Sequence, residues 1–534
     1  MSRRANPSFL DRSLLFGCLA ALALTVLYPT ARMAWGALTH WNASTLFNSA
    51  AIVNTIVLSF ASVAASGVVG TAAALWLARY RFPGRNAVAA LMYLPFTLPP
   101  LVGVVSFYYI IGRDGLVTRF IERYTGVEPW FLEGPWAILA VHTYSFFVFF
   151  YAMVSAALDT MDYAQAEAAR TLGATPAYVF RRVTLPQLRP ALMGASLLTF
   201  MSSAASFSAP YFFGNNFPVL STQIYEERTQ FNDDAVLTLT VVLAFISLMG
   251  IALFRGRRPA AAPASKGVRV PPRSTAGRVA AVGGAMVAAI VLLLPHLNII
   301  ALSFTDHAAW GASLLPHQFT IENYRHVFSE ASAFRPVVNS TWMSTVAALA
   351  TVLIGLPAAY LIGRRKGGAR LVNTIVMIPW ALPGTVIAIN LIVAFNDPWL
   401  ALYGTAFMLP LAYFIRAVPL FTRMLAAPIE TFDVTLLEAG RTLGATPAYC
   451  FWRIVTPMLG PALIAAAALV FAVSLGEFVA SILLYSPDGI PISVQINMEW
   501  RGAGIGAAFA YSVFLMLMLT MTFLLARRFS SRIM

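Results

Sequence analysis

The chain is poor in charge, in lysine and in cysteine, and each shortage excludes something. Only 11% of its 534 residues are charged and 59% are apolar, with a mean hydropathy of +0.73. A soluble chain of this length cannot hide that much apolar surface. There are two lysines, Lys266 and Lys366, and each is followed by glycine. A nucleotide-binding loop needs Gly-Lys followed by Ser or Thr. This chain has none, so any ATP that drives it is expected to be hydrolysed by another chain. The two cysteines, Cys18 and Cys450, fall in the first apolar run and in a loop far along the chain. They are not expected to meet, which argues against a disulfide or a cysteine metal site. Four of the six histidines lie within 296–326, but none has H-x-x-x-H spacing, so no metal site is expected there. No nucleophile or acid–base constellation is recognisable.

What is present is a series of long apolar runs. Twelve are long enough to cross a bilayer as helices: 13–34, 52–78, 87–111, 136–158, 191–213, 235–254, 279–303, 338–362, 371–395, 402–426, 461–485 and 505–526. A membrane β-barrel would alternate apolar and polar residues, and stretches such as "ALMGASLLTFM" do not. The first run follows a basic start but lacks a small-residue cleavage site, so it is expected to remain as a helix. The fold class expected is therefore an all-α polytopic membrane protein.

The formal net charge of +14 does not require nucleic acid. With the N-terminus inside, the cytoplasmic segments hold 27 of the 36 basic residues, and external loops hold 14 of the 22 acidic ones. That is the positive-inside bias, and it predicts both termini in the cytoplasm.

The chain is also internally duplicated. RTLGATPAY occurs at 170–178 and again, identically, at 441–449. Residues 53–85 align without a gap to 338–370, and "YLPFTLPPLVGV" at 93–104 aligns to the stretch beginning "MIPWALPGTV" at 377. The offset falls from 285 to 271 along the chain, so the first half carries extra residues, most simply in its external loop 112–135. The expected organisation is two parallel six-helix repeats, 1–254 and 278–534, joined by an Arg-, Pro- and Ala-rich cytoplasmic linker at 255–277.

Each copy of RTLGATPAY lies in a cytoplasmic loop of about 30 residues, 159–190 and 427–460, longer than a bare connection needs. The predicted content is a helix ended by Gly173 or Gly444, then Thr175-Pro176 or Thr446-Pro447 as cap and first position of a short helix. Pro186 or Pro457 is expected to stop that helix. It would present Tyr178, Phe180 and Arg182 in one copy and Tyr449, Phe451 and Arg453 in the other.

The pattern E-A-A, three residues, G, nine residues, an aliphatic, one residue, L-P resembles the signature loop of binding-protein-dependent ABC importer permeases. The first copy matches at Glu167, Ala168, Ala169, Gly173, Val183, Leu185 and Pro186. The second matches at Glu438, Ala439, Gly444, Ile454 and Pro457, and departs at Gly440 and Thr456. The resemblance extends over the whole chain and is strongest to the fused ferric-iron and thiamine importer permeases. It implies the type I importer permease fold in a bacterial inner membrane, with no cofactor bound by this chain. It implies two copies of a cytoplasmic ABC ATPase, holding Mg–ATP, docked at the two loops as coupling helices. It implies an extracytoplasmic substrate-binding protein that docks on the external loops, including 112–135, 214–234 and 304–337, and alternating access between the halves. Ferric iron is the expected cargo, because "SLGEFVASILLY" followed by "PISVQI" is similar to iron-group permeases. Thiamine, phosphonate, polyamine or sulfate would suit a similar scaffold.

Polar groups inside the apolar runs are the candidates for the translocation path: Glu477 and its repeat mate Ser206, His142 (matched by Tyr413), and Arg416. Glu477 is the foremost, and Glu477→Gln is expected to lower transport. Structural pairing of Glu477 with Arg416 is the alternative, but helical rise places the two about 10 Å apart in depth. Twelve helices in two sixes also suit an ion-coupled secondary transporter. Such a carrier has no use for two long loops with matched glycine turns.

Overall fold

The computed structural model describes residues 9–47, 50–113, 115–127, 131–254, 274–306, 318–397, 400–433, 435–502 and 504–530. Among them the regular structure is helical, apart from isolated bridge residues such as the pair Thr305 and Phe319. The long apolar runs became helices, because in a bilayer only a helix or a closed barrel satisfies every backbone group internally. Polar caps mark where several start: the Asn232 side chain accepts from the Ala235 N–H, and that of Ser274 from the Gly277 N–H.

Nine helices of the described residues are long and apolar enough to span a membrane, or up to eleven if two bent pairs each count as one span. Four of the twelve expected spans are not straight helices. The run 371–395 is two helices, Ala369–Ala381 and Gly384–Phe395, bent by 110°. Its mate 87–111 breaks around Leu94–Thr97 before Pro100–Ile111. Prolines at Pro95, Pro99, Pro379 and Pro383 account for both breaks, since each removes a backbone donor. The runs 191–213 and 461–485 also fail to continue. Their helices end at Ala204 and Leu475, and short helices Ser208–Phe213 and Ser481–Leu484 follow.

The chain packs as two compact units, 43–319 in one and 1–42 with 320–534 in the other. In the first unit, Ala50–Arg79, Gly134–Asp159 and Leu185–Ala204 pack together. Ala281, Ala285 and Leu292 of Thr275–Ser303 join a core with Leu77, Val88 and Leu188. In the second, Ala331–Gly363, Met408–Glu430 and Gly460–Leu475 make the matching cluster around Leu356, Phe421 and Leu425. The helical stretch Phe9–Thr39 belongs to this unit. Lys366 pairs with Asp11 at 3.0 Å, the Tyr28 hydroxyl donates to the Ala394 carbonyl at 3.2 Å, and Arg32 pairs with Asp397. The first helix of each sequence half thus packs with the other half's helices. The linker expected at 255–277 lies almost wholly outside the described residues.

The duplication is visible in the packing. A Cβ at Gly70 would sit 2.6 Å from Cβ of Phe150, and one at Gly355 would sit 2.5 Å from Cδ1 of Phe421. Both glycines let backbones approach where helices two and four of a half cross, the small-residue packing that membrane helices use.

Candidate functional sites

The two long loops fold alike. Asp162 accepts the Ala164 N–H at 3.0 Å, and Asp433 accepts the Thr435 N–H at 2.9 Å, opening the helices Ala164–Thr171 and Thr435–Thr442. The backbone and hydroxyl donors of Thr435 hold the exposed Asp433 carboxyl below its usual range. Both helices then end in a left-handed glycine, Gly173 at φ +83° and Gly444 at φ +84°. Each glycine N–H bonds back at 2.9 Å, to Arg170 or Arg441, and the next N–H bonds at 3.0 Å to Ala169 or Gly440. A Cβ at either glycine would meet nothing within 4 Å, so the backbone angle is what calls for glycine, not the space. Thr175 and Thr446 then cap the next helix, accepting from Tyr178 and Tyr449 at 3.3 and 3.2 Å.

The first short helix does not stop at proline as expected, whereas the second ends one residue past Pro457. Pro176–Val179 passes through a π-turn, Phe180–Thr184, straight into Leu185–Ala204, with Pro186 inside. In the second copy the π-turn Phe451–Val455 leads to Thr456–Met458, and the chain bends by 72° into Gly460–Leu475. A π-turn shifts the hydrogen-bond register by one residue, and a proline next to it tolerates the lost partner because it has no N–H.

Twelve of the fourteen expected docking residues are exposed alike in the two copies, among them Glu167, Ala168, Gly173, Tyr178 and Arg182, and Glu438, Ala439, Gly444, Tyr449 and Arg453. Pro186 and Pro457 are exposed as well. Tyr178 and Tyr449 are each 56% exposed. The aromatic pair Phe180 and Phe451 breaks the symmetry. Phe180 is 37% exposed, whereas Phe451 is 1% exposed and packs edge-on against Tyr360 with centroids 5.0 Å apart. Phe451 is therefore a core residue and is withdrawn from the expected docking face. Sequence reasoning also missed Leu172 and Leu443, which stand 87% and 88% exposed beside the glycine turns. The signal was an apolar residue inside the identical motif. The Gly440 departure has a packing reason: a Cβ there would press on Ile454 at 3.1 Å and Cys450 at 3.3 Å. At the place of Ile454 the first copy has the smaller Val183, and Ala169 stands where the second has Gly440.

The four intramembrane polar candidates form two pairs, one in each unit, at the breaks that follow Ala204 and Leu475. In the first, His142 Nδ1 lies 2.9 Å from Ser62 Oγ and 3.2 Å from Ser203 Oγ, and its Nε2 lies 2.9 Å from Ser206 Oγ. In the second, the Glu477 carboxylate accepts the N–H groups of Ala480 and Ser481 at 3.0 Å and the Ser481 hydroxyl at 3.1 Å. Tyr413, the mate of His142, bonds Ser481 Oγ at 2.7 Å. Arg416 Nη1 lies 3.1 Å from Glu477 Oε1. The separation of about 10 Å expected from helical rise is overturned, because Glu477 sits past the end of its helix rather than on a continuous one.

The family model for the binding-protein-dependent transport system inner membrane component matches this chain twice, over 66–258 and 351–534. The chain belongs to that family. The permease is 28% identical over 463 residues to the "Probable ABC transporter permease protein y4fN" of Sinorhizobium fredii, covering 84% of this chain and 81% of that one. It is 28% identical to the Fe(3+)-transport system permease protein FbpB 2 of Haemophilus influenzae, covering 83% and 82%. The sulfate transport system permease protein CysT of Salmonella typhimurium is 31% identical over 46% of this chain and 91% of its own. The permease is thus a multi-pass translocation subunit of an ABC importer. Permeases of this kind work with an ATPase and a substrate-binding protein.

Proposed function

We propose that this permease carries ferric iron inward and is driven by two copies of a cytoplasmic ABC ATPase, one at each of the loops 159–190 and 427–460. Mg–ATP is bound and hydrolysed on those partners, and none by this chain. The two halves, 1–254 and 278–534, are joined by the linker 255–277. Both termini lie in the cytoplasm, as the placement of basic residues supports. A substrate-binding protein delivers the cargo from outside, and His142, Ser206, Arg416 and Glu477 border its path.

One observation carries the drive: two loops of the same helix, glycine turn and capped helix, with φ +83° and +84° at the glycines. Identical partners would keep two such surfaces identical. For the cargo, a permease named for ferric transport matches 83% of this chain, whereas the sulfate permease spans 46% of it.

The test is uptake by vesicles holding the permease with its ATPase and binding protein. Radioiron accumulation should require ATP and stop with vanadate, and a proton uncoupler should not stop it directly. ATP-driven uptake of sulfate or thiamine in place of iron would refute the cargo.

A further inference from the structure

We propose that Arg416 is the charged group the cargo meets, that Glu477 acts on it as a positioning residue, and that the crossing species is an anionic, oxygen-ligated ferric complex rather than a bare cation. This rests on the permease and iron readings above. It moves the main role from Glu477, the foremost candidate in the sequence, to its partner.

The two members of the pair are not equally available. The Glu477 side chain is 5% exposed, and its carboxylate is occupied by Ala480, Ser481 and Arg416. The Arg416 side chain is 30% exposed. A guanidinium has five N–H donors in a fixed fork, and Nη1 lies 3.1 Å from Glu477 Oε1. A charged group in mid-span is rarely left against lipid and normally faces the protein interior or a water-filled path. What this site offers to a passing molecule is therefore positive charge.

The first half argues against a purely structural pair. At the positions matching Gly384, Arg416 and Glu477 it has Pro100, Ser145 and Ser206. There a neutral His142–Ser206 bond holds the same break, at 2.9 Å. Charge is thus not required to build the break. Gly384 belongs to the charged set for a steric reason: a Cβ on it would sit 1.8 Å from Arg416 Nη1. Any larger residue pushes the guanidinium away from Glu477. Three positions differ together between the halves, and they differ so as to seat one arginine.

The sign of the exposed charge sets the cargo class. Fe(III) without ligands would be repelled by an exposed guanidinium. A ferric centre carrying carboxylate or phosphate oxygens presents the acceptors that a guanidinium binds in fork geometry.

The test uses phosphatidylethanolamine–phosphatidylglycerol vesicles containing the full complex. Radioiron is supplied as its citrate complex, with the citrate labelled by a second isotope. Wild type should import both labels together. Arg416→Met should lower iron uptake about tenfold or more, as loss of a buried charge partner does. Arg416→Lys should recover part of it, and Glu477→Gln, which leaves the guanidinium without its counter-charge, should fall between wild type and Arg416→Met. Gly384→Ala, which changes no charge and only displaces the guanidinium, should resemble Arg416→Met. Co-purification of each variant with the ATPase reports its folding. The double variant Arg416→Met/Glu477→Gln should stay inactive. Recovery of wild-type uptake in that double variant would make the pair a structural staple and overturn the proposal. So would iron entering the wild-type vesicles without citrate when no phosphate or other oxygen-donor anion is supplied. A wild type that imports iron while Arg416→Met imports it equally well overturns this inference and leaves the permease reading intact.

Discussion

Phe180 and Phe451 occupy equivalent places in the repeat and have different jobs. Periodicity assigned both to one exposed face, because the sequence of each short helix is nearly the same. What separates them is a neighbour far along the chain: Tyr360 covers Phe451. Deleting the ring of a buried Phe removes its contacts and leaves a cavity, at a typical cost of about 3 kcal/mol or more. Phe451→Ala should therefore lower the thermal unfolding midpoint of the detergent-solubilised permease, while Phe180→Ala should shift it little. Equal shifts would mean that Phe451 is not the core residue described here. The polar candidates show the same limit. His142, Ser206, Arg416 and Glu477 were recognisable as intramembrane polar groups, but their pairing was not, because it depends on where the helices end. Gly476 and the serines around both breaks hinted at this weakly. The hydropathy of the runs 191–213 and 461–485 gave no sign of it.

At the scale of elements, the best-read part is the pair of long loops, 159–190 and 427–460. Glycine at a positive φ, threonine as a cap and proline in a first turn are local chemistry, and local chemistry is written in adjacent residues. The misread part is what followed. A proline there predicts a stop, and in the second copy the chain does bend by 72° just past Pro457; in the first, a π-turn precedes Pro186 and the helix runs on to Ala204. The first helix poses a different problem. It is fixed to its unit through Asp11–Lys366 at one end and Arg32–Asp397 at the other. The Asp11 side chain is only 5% exposed, so removing Lys366 takes a counter-charge away from a buried carboxylate. Lys366→Met should destabilise the permease by about 3 kcal/mol, and Asp11→Leu/Lys366→Met should recover most of that. Thermal unfolding of the single and double variants checks this. Equal losses in both would show that the pair contributes through its surroundings rather than through its charges.

Over the whole molecule, the class of the fold and the duplication were legible because long apolar runs and repeated motifs are properties of composition and order. The packing of the halves was not. In a membrane an apolar face suits lipid as well as a neighbouring helix, so apolar pattern cannot say which helix is whose partner. The first helices consequently pack with the opposite sequence half. The central claim belongs to this scale: two copies of one loop transmit the work of two ATPase subunits to the membrane helices. The most direct test is ATP-driven radioiron uptake, measured alongside ATP hydrolysis, in vesicles holding the complex with Gly173→Asp or Gly444→Asp. Each variant puts a charge at a turn where a Cβ meets no neighbour and the backbone is left-handed. Each should insert and fold yet lose about tenfold of its uptake per ATP hydrolysed, as expected when a docking contact is disrupted. Wild-type uptake per ATP in both variants would contradict the account.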